Sequence, residues 1–517
     1  MSVNALIFTE MMTQYFPPCR PIGAYRIATE IRKAGYTCQV IDFFTKFDED
    51  EMEKIITSFI GEDTLIVGFS STFFEYIDEK LDALQTVITG KKTQPFGNQL
   101  LTVNYPYHRD KMRDWFQRMR KINPSLKIVY GGAKTRYLAA NCDAYAVGYA
   151  DQAIVEYMKY LEGKNPFFQF ERLNNQIIIN GATYTKDFDY CKSTVEWHET
   201  DHLMHGEAVP IEIARGCVFK CKFCSFPSNG KKKLDFIKED SVLRDEFLRN
   251  YYEYGITRYI YADDTHNDSV EKVERLHKIV TSLPFELEYG TYLRHDLIHA
   301  HPETAILLKE SGLRTCMFGI ESLNHKSGKE IGKGLHPDKI KELMYWLKND
   351  IWKNDVGISA SFIVGLPYDT PTTVMEWATW LLDPSCPIDT FYIEPLFIAG
   401  SELRATGSYT ESEFEKNTAA YGYSFIDDNI CNWTNEHFTY ASAMKLADRI
   451  KLMAYKKGRQ RHAGFSLMMF SNLGFIPKDL IGNVAIPEFL SVPKLSKDYL
   501  NIYREKLLKQ IDYNKII

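Results

Sequence analysis

Cysteine is scarce in this chain, with ten in 517 residues. Seven of them are scattered, which excludes the dense disulfide framework of a small secreted scaffold. No apolar run approaches the ~20 residues that a membrane-spanning helix needs. The N-terminus carries no signal-peptide pattern, and there is neither an internal repeat nor a low-complexity tract. Basic residues are not in excess: 62 Lys and Arg stand against 68 Asp and Glu, for a formal charge of −6. A general nucleic-acid binder would show a basic surface. These absences predict a soluble, cytoplasmic protein and argue against membrane and nucleic acid as partners. The length predicts two or three domains, and an apolar fraction of 45% supports ordinary cores.

What is present is concentrated in one loop. Cys217, Cys221 and Cys224 lie in the run Ala214-Arg215-Gly216-Cys217-Val218-Phe219-Lys220-Cys221-Lys222-Phe223-Cys224. The spacing is C-x3-C-x2-C, with an aromatic residue before the last cysteine. Structural zinc wants four ligands in paired spacings. Here the next cysteine is Cys316, and His266 stands alone. Iron–sulfur clusters are normally held by four cysteines; three leave one iron open, and an open iron is a chemical site. The preceding Ile211-Glu212-Ile213-Ala214-Arg215-Gly216 reads as a strand ending in a tight turn. The loop resembles that of the radical S-adenosylmethionine (radical SAM) enzymes, which implies a [4Fe-4S] cluster on these three thiolates.

Downstream the chain alternates strand and helix, as parallel α/β barrels do. Strands are predicted at Val209–Ala214, Arg258–Ala262, Phe285–Arg294, Cys316–Ser322, Gly357–Pro367 and Thr390–Leu396. Six such strands match the partial barrel of the superfamily, whose chemistry sits at the C-terminal strand ends. The resemblance implies a SAM site there. Phe223 would border the adenine. Asp263 and Asp264 would accept from the SAM ammonium. Arg294 would reach the carboxylate through a forked pair. Gly319 would let the backbone approach closely, while Glu321 and Ser322 would bind ribose hydroxyls and Gly365 and Pro367 would pass near adenine. Each has a plainer reading: Asp263 as a helix cap, Arg294 as a partner of Glu286 or another barrel carboxylate, the glycine motifs as turns.

Residues 1 to 165 read as a separate doubly wound, Rossmann-like parallel sheet, with strands at Ala5–Phe8, Cys38–Asp42, Leu65–Ser71, Leu126–Gly132 and Ala144–Gly148. Helices are expected over Ile22–Ala34 and Gln152–Leu161. The layout is similar to the cobalamin-binding domain that precedes the barrel in one radical SAM branch. The resemblance implies that Ser70, Ser71, Gly131 and Gly132 lie against the corrin and its nucleotide tail. Three features depart from that pattern. The D-x-H-x-x-G motif that supplies an axial histidine is missing, since Asp42 is followed by Phe43-Phe44-Thr45. About 55 residues separate Ser71 from the fourth strand, including Gln94–Asn98 and Asn104–His108. Gly148-Tyr149-Ala150-Asp151 replaces a Gly-Glu-Gly-Glu run. A flavodoxin-like scaffold without a ligand is the alternative.

Residues 166 to 207 read as a connector with a hairpin turning at Asn180-Gly181. The barrel is expected over 208 to 405. Residues 406 to 517 read as a helical region that closes the substrate pocket, with its clearest helix over Phe438–Lys457. Trp433, His437, His462 and Met468 to Phe470 are candidate liners, with core packing the plainer reading of the Met and Phe residues. Lys220, Lys222 and Lys231-Lys232-Lys233 make the cluster loop basic, either as a solvated surface or as a steering patch for an acidic electron donor such as a flavodoxin or ferredoxin.

The resemblance implies reductive cleavage of SAM to a 5′-deoxyadenosyl radical and cobalamin-dependent methyl transfer to an unactivated carbon of a small-molecule or peptide substrate. Two alternatives stand beside it. One is radical rearrangement, cyclisation or oxidation without methyl transfer. The other, of a different class, is a cluster-containing sensor or binding protein. Methylthiotransfer fits less well, because it needs three cluster cysteines in the N-terminal domain and only Cys19, Cys38 and Cys142 are there.

Overall fold

The computed structural model describes residues 2–10, 17–70, 106–132, 142–173, 175–226, 228–400, 411–426, 432–459, 467–481 and 486–514. Ser71, His462 and the segment 94–105 lie outside them. Two parallel sheets form the frame, as the alternation of apolar strands and amphipathic helices predicts. The N-terminal sheet contains β1 (Ala5–Phe8), β2 (Cys38–Ile41), β3 (Ile66–Ser70), β4 (Lys127–Gly132) and β5 (Ala144–Val147). Its strand order is β2-β1-β3-β4-β5, the flavodoxin-like doubly wound order. The helices between them are α1 (Ile22–Lys33), α2 (Glu49–Phe59) and α3 (Pro106–Ile122), with α4 (Asp151–Leu161) after β5. Strands β1, β2 and β5 are buried along their whole length, hence their near-continuous apolar runs.

The connector does not stand apart. β6 (Glu171–Leu173) and β7 (Gln176–Asn180) extend this sheet to seven strands, β7 pairing parallel with β5. The predicted hairpin around Asn180-Gly181 does not form; the antiparallel pair is β6 with β7, turning between Leu173 and Gln176, where Asn175 has φ +67°. Asn180 instead accepts from the amide of Ala182 and starts a 3-10 turn. An Asn-Gly pair favours a hairpin turn, but Asn can also take a backbone amide on its side chain, and here it does.

The second sheet runs β13-β12-β11-β10-β9-β8, all parallel. Its strands are β8 (Val209–Glu212), β9 (Arg258–Ala262), β10 (Glu288–Leu293), β11 (Leu313–Glu321), β12 (Gly357–Val364) and β13 (Thr390–Pro395). Between them lie α5 (Asp240–Tyr254), α6 (Val270–Thr281), α7 (His295–Ala300), α8 (Glu303–Glu310), α9 (His325–Glu330), α10 (Pro337–Trp346) and α11 (Pro371–Leu381). This is the expected partial (β/α)6 barrel.

The C-terminal region divides into three tasks. α12 (Tyr440–Lys456) packs on β13, where Lys451 Nζ donates to Glu394 Oε1 at 2.8 Å. α13 (Leu467–Phe470) seats Leu467 against Gly357 at the amino end of β12. α14 (Ile486–Asn514) returns to the N-terminal sheet, where Tyr499 and Tyr503 meet the Phe43 ring edge-on at 6.2 and 5.6 Å. Among the described residues no helix is long and apolar enough to cross a membrane.

Candidate functional site

The three thiols sit at the C-terminal end of β8. Gly216 has φ +76°, and a Cβ there would lie 2.5 Å from the Ser228 carbonyl oxygen, so the turn into Cys217 admits only glycine. The loop closes on itself. The Cys217 carbonyl accepts from Gly230 N at 2.7 Å and Lys231 N at 3.2 Å, and Cys224 N donates to the Cys221 carbonyl at 3.0 Å. Asp264 Oδ2 accepts from Gly216 N at 3.0 Å, tying the loop to the end of β9.

Each thiol has a polar neighbour. Thr265 Oγ1 is 3.3 Å from Cys217 Sγ, Arg294 Nη1 donates to Cys221 Sγ at 3.2 Å, and Asn229 Nδ2 donates to Cys224 Sγ at 3.2 Å. Among the described residues no three His, Cys, Asp or Glu side chains converge on one metal ion. A single zinc needs such a tetrahedron, whereas a cluster takes each thiolate on a separate iron. All nine described cysteines are free thiols. Three thiols on one loop, each beside a polar side chain, are a donor set that would suit a cluster taking one thiolate per iron.

Strand parity sorts the predicted SAM residues. Tyr259 packs on Phe247 of α5, Tyr289 donates to the Leu308 carbonyl of α8, and Phe362 stacks on Trp377 of α11. Those faces look outward to the helices. The register then turns Ala262, Tyr292, Met317, Ser361 and Tyr392 to the lumen. Asp263 falls on the helix side. Lys272 Nζ of α6 lies 2.7 Å from its Oδ2 and His266 Nδ1 at 3.7 Å, and all three side chains are buried. The buried ammonium of Lys272 holds the Asp263 carboxyl well below the usual range despite desolvation. Asp263 is thus already paired away from the lumen, while Asp264 anchors the cluster loop.

Arg294 takes its plainer reading and pairs with a barrel carboxylate, though not Glu286. Its Nε and Nη2 fork onto Asp296 at 3.0 and 2.5 Å, and its plane covers the Phe219 ring at 3.7 Å. Glu321 faces the lumen in the left-handed region, φ +68°, with both carboxylate oxygens 3.2 Å from Ser361 Oγ. Burial raises its carboxyl, opposed by Lys333 and Ser361. Lys333 Nζ donates to the Gly319 carbonyl at 2.6 Å and lies 3.8 Å from Glu321 Oε1. A Cβ on Gly319 would meet Glu321 Oε1 at 2.6 Å and Lys333 Nζ at 2.7 Å, which explains the glycine. Ser322 is buried and its Oγ accepts from Asn324 N at 3.0 Å. At the β12 turn, Gly365 has φ +90° and its carbonyl accepts from Tyr423 Oη at 2.7 Å, while that of Pro367 accepts from Ser327 Oγ at 2.7 Å. Phe223 is half-buried against the apolar core.

The proposed pocket liners are mostly elsewhere. Trp433 is buried and seals the Gly365 turn, donating from Nε1 to the Leu396 carbonyl at 2.8 Å. His437 is exposed beside Glu436. Met468 to Phe470 belong to α13, at the barrel's amino end and away from the cysteines. Lys333, Thr265, Asn229 and Asp296 escaped the sequence reading. Asn229 alone carries a local signal, the Ser228-Asn229-Gly230 turn.

On the N-terminal sheet, Ser70 pairs with Gly131 at the C-terminal ends of β3 and β4. Ser70, Gly131 and Gly132 are half-buried. A Cβ on Gly131 would meet the Ala146 carbonyl oxygen at 2.5 Å, so β5 alone requires that glycine. Asp151, from the Gly-Tyr-Ala-Asp run, forks onto Arg215 Nη1 and Nη2 at 2.7 and 2.9 Å. Arg215 also bonds Glu212 at 2.9 Å and lies over the Tyr149 and Tyr190 rings at 4.2 and 4.4 Å. Arg26 of α1 closes the group on Glu212 at 2.6 Å. The cluster loop is thereby bound to the N-terminal domain.

Three of the five loop lysines are internally paired: Lys222 with Glu330 at 2.5 Å, Lys231 with Asp268 at 3.7 Å, and Lys233 with Glu271. Lys220 and Lys232 remain exposed.

Comparison with known proteins bears on this geometry. Residues 211–381 match the family model "Radical SAM superfamily". A protein described as an uncharacterized methyltransferase of Pyrococcus horikoshii is 27% identical over 167 residues, 32% of this chain and 35% of that protein. The anaerobic magnesium-protoporphyrin IX monomethyl ester cyclase of Cereibacter sphaeroides is 24% identical over 281 residues, 50% of this chain and 44% of that protein. The chain thus aligns with less than half the length of either curated relative. Among solved structures, the radical SAM methyltransferase TsrM of Kitasatospora setae with cobalamin and a [4Fe-4S] cluster bound superposes with a TM-score of 0.64 at 11% identity. The superposition covers 97% of this chain and all of that one. The cobalamin-dependent radical SAM enzyme OxsB with aqua-cobalamin gives 0.50 at 12% identity, covering 99% of this chain and 72% of that one. At these identities the likeness is one of fold.

Proposed function

We propose, from the premise that this chain is a radical SAM superfamily enzyme, that it methylates an unactivated carbon using SAM and cobalamin. One observation supports the reading most: a three-cysteine loop at the C-terminal barrel ends is ion-paired to a doubly wound domain of cobalamin-binding layout. A [4Fe-4S] cluster on Cys217, Cys221 and Cys224 would supply the electron that cleaves SAM to a 5′-deoxyadenosyl radical, and cobalamin would carry the methyl group. The protein's part is to orient and to exclude water. Glu321 and Lys333 offer the lumen an acceptor and a donor for the polar groups of SAM, with Ser322 and the Gly365 and Pro367 turn beside them. Phe223 adjoins the cluster cysteine Cys224. Tyr292, Met317 and Tyr392 line the space for an organic substrate, small molecule or peptide. Ser70, Gly131 and Gly132 edge the domain face for the corrin. Electrons would come from a flavodoxin- or ferredoxin-type donor.

The test is anaerobic reconstitution with iron, sulfide and hydroxocobalamin, gel filtration, then incubation with SAM and a one-electron reductant. Near-stoichiometric corrin bands with both 5′-deoxyadenosine and S-adenosylhomocysteine support methyl transfer. Full cluster content with no 5′-deoxyadenosine would sink the radical reading. A second reading draws on Asp42-Phe43-Phe44, where no axial histidine stands, and on the match to a cyclase. It keeps the radical and drops the methyl group. Its signature is 5′-deoxyadenosine without S-adenosylhomocysteine and without retained corrin.

A further inference from the structure

Arg294 is held on three sides. Asp296 takes Nε and Nη2, the Gly332 carbonyl accepts from Nη2 at 3.3 Å, and Phe219 lies against the guanidinium plane. The residue is 4% exposed. Nη1 points at the Cys221 sulfur, 3.2 Å away. A fork that is already filled cannot also clamp a second carboxylate without giving up Asp296.

We propose that Arg294 is a positioning residue for the cluster: fixed by Asp296 and Phe219, it donates a charge-assisted hydrogen bond to the Cys221 thiolate and raises the potential at which the cluster accepts its electron. This rests on the reading that the cysteine loop holds a cluster. The step is a one-electron reduction, [4Fe-4S]2+ to [4Fe-4S]+, with the electron from an external reductant and no covalent bond made or broken. With three thiolates the assembly passes from a net charge of −1 to −2. An N–H donor and a cation against one sulfur stabilise the more negative state, most strongly in a partly desolvated site. Asn229 and Thr265 make neutral contacts to the other two sulfurs, and neutral donors are about half as strong as charged ones. Thr265 Oγ1 also donates to the Asp264 carbonyl at 2.6 Å, so its hydroxyl proton is shared. Arg294 is therefore the donor that matters most for the potential.

The experiment is an EPR-monitored redox titration with titanium(III) citrate, without SAM, on the full chain reconstituted to measured iron and sulfide content. Arg294→Met removes every donor and keeps the bulk; Arg294→Lys keeps the charge and loses the fork. Arg258→Met breaks a remote pair with Glu288, 3.1 Å in length, and controls for general loosening. At the wild-type midpoint, the reduced-to-oxidised ratio of Arg294→Met should fall about tenfold, equivalent to ~59 mV for one electron. Arg294→Lys should fall between, and Arg258→Met should match wild type. An unchanged midpoint for Arg294→Met at equal iron loading overturns the proposal, as does a variant that loses only SAM affinity. Should Arg294→Met fail to retain iron, Arg294→Lys decides, and a wild-type midpoint there overturns it. A wild-type chain that takes up no cluster overturns the functional reading itself and this inference with it.

Discussion

Asp263 and Asp264 are neighbours with opposite duties. Asp263 neutralises Lys272 beneath the helices, and Asp264 holds the Gly216 amide. Asp263→Ala should lower the melting temperature, because the buried Lys272 ammonium loses its nearer carboxylate and keeps Asp268 at 3.4 Å, a loss of about 3 kcal/mol, the low end for breaking a buried pair. The SAM affinity of the folded fraction should stay unchanged by equilibrium dialysis. A matched loss of affinity would return Asp263 to the SAM site. Asp369 makes a pH prediction. Burial, opposed by hydrogen bonds from Ser327 and Leu366, pushes its carboxyl up to about 7. A carboxyl raised in the folded state binds its proton more tightly there than in the unfolded chain. Its contribution to stability is complete below about pH 4 and is lost as the pH rises through 7. Asp42, pushed up to about 7 chiefly by burial, acts in the same direction. Denaturant midpoints should therefore fall between about pH 4 and 7. Asp369→Asn should flatten that slope, whatever it does to the absolute stability; an unaltered slope would refute the assignment.

At the scale of elements, the strands were legible because parallel strands buried on both faces read as apolar runs. Arg258–Ala262 and Ala5–Phe8 coincide with their predicted ends. The faces were not read from parity, which is why Asp263 was grouped with Asp264. The docking of α14 was not legible either, since a helix's apolar stripe does not name the surface it will cover. That surface is the C-terminal end of β2. Tyr503 accepts from the Asp42 amide at 2.8 Å and stands edge-on to Phe43. Arg20, 1% exposed, bonds Glu207 at 2.7 Å and Tyr25 at 2.9 Å and lies over the Tyr503 ring. Tyr503→Phe should cost about 1–3 kcal/mol, the loss of one partner for a buried amide. Tyr503→Ala should cost about 3–5 kcal/mol through the cavity as well. Urea titration followed by tryptophan fluorescence would check both. Equal costs would mean that ring packing against Phe43 contributes nothing.

For the whole molecule, the decisive contacts cross between the sheets. One apolar core includes Ala5 and Ile7 of β1 together with Phe318 and Ile358 of the barrel. Asp151, Arg215, Glu212 and Arg26 form a buried charge group between α4, the cluster loop, β8 and α1. Calorimetry should accordingly give one cooperative transition for the intact chain. Asp151→Ala should lower stability by about 3–5 kcal/mol, because Arg215 loses its forked partner, and should reduce iron retention after gel filtration. Two transitions in the wild type, or full iron retention in the variant, would contradict this coupling. Arg215 is the residue two before the first cysteine, yet its fork partner belongs to another domain. The two halves are therefore not interchangeable modules. A graft of this N-terminal domain onto a related barrel, or the reverse, must carry Arg26 and Asp151 with it, or the cluster loop will arrive without its anchor.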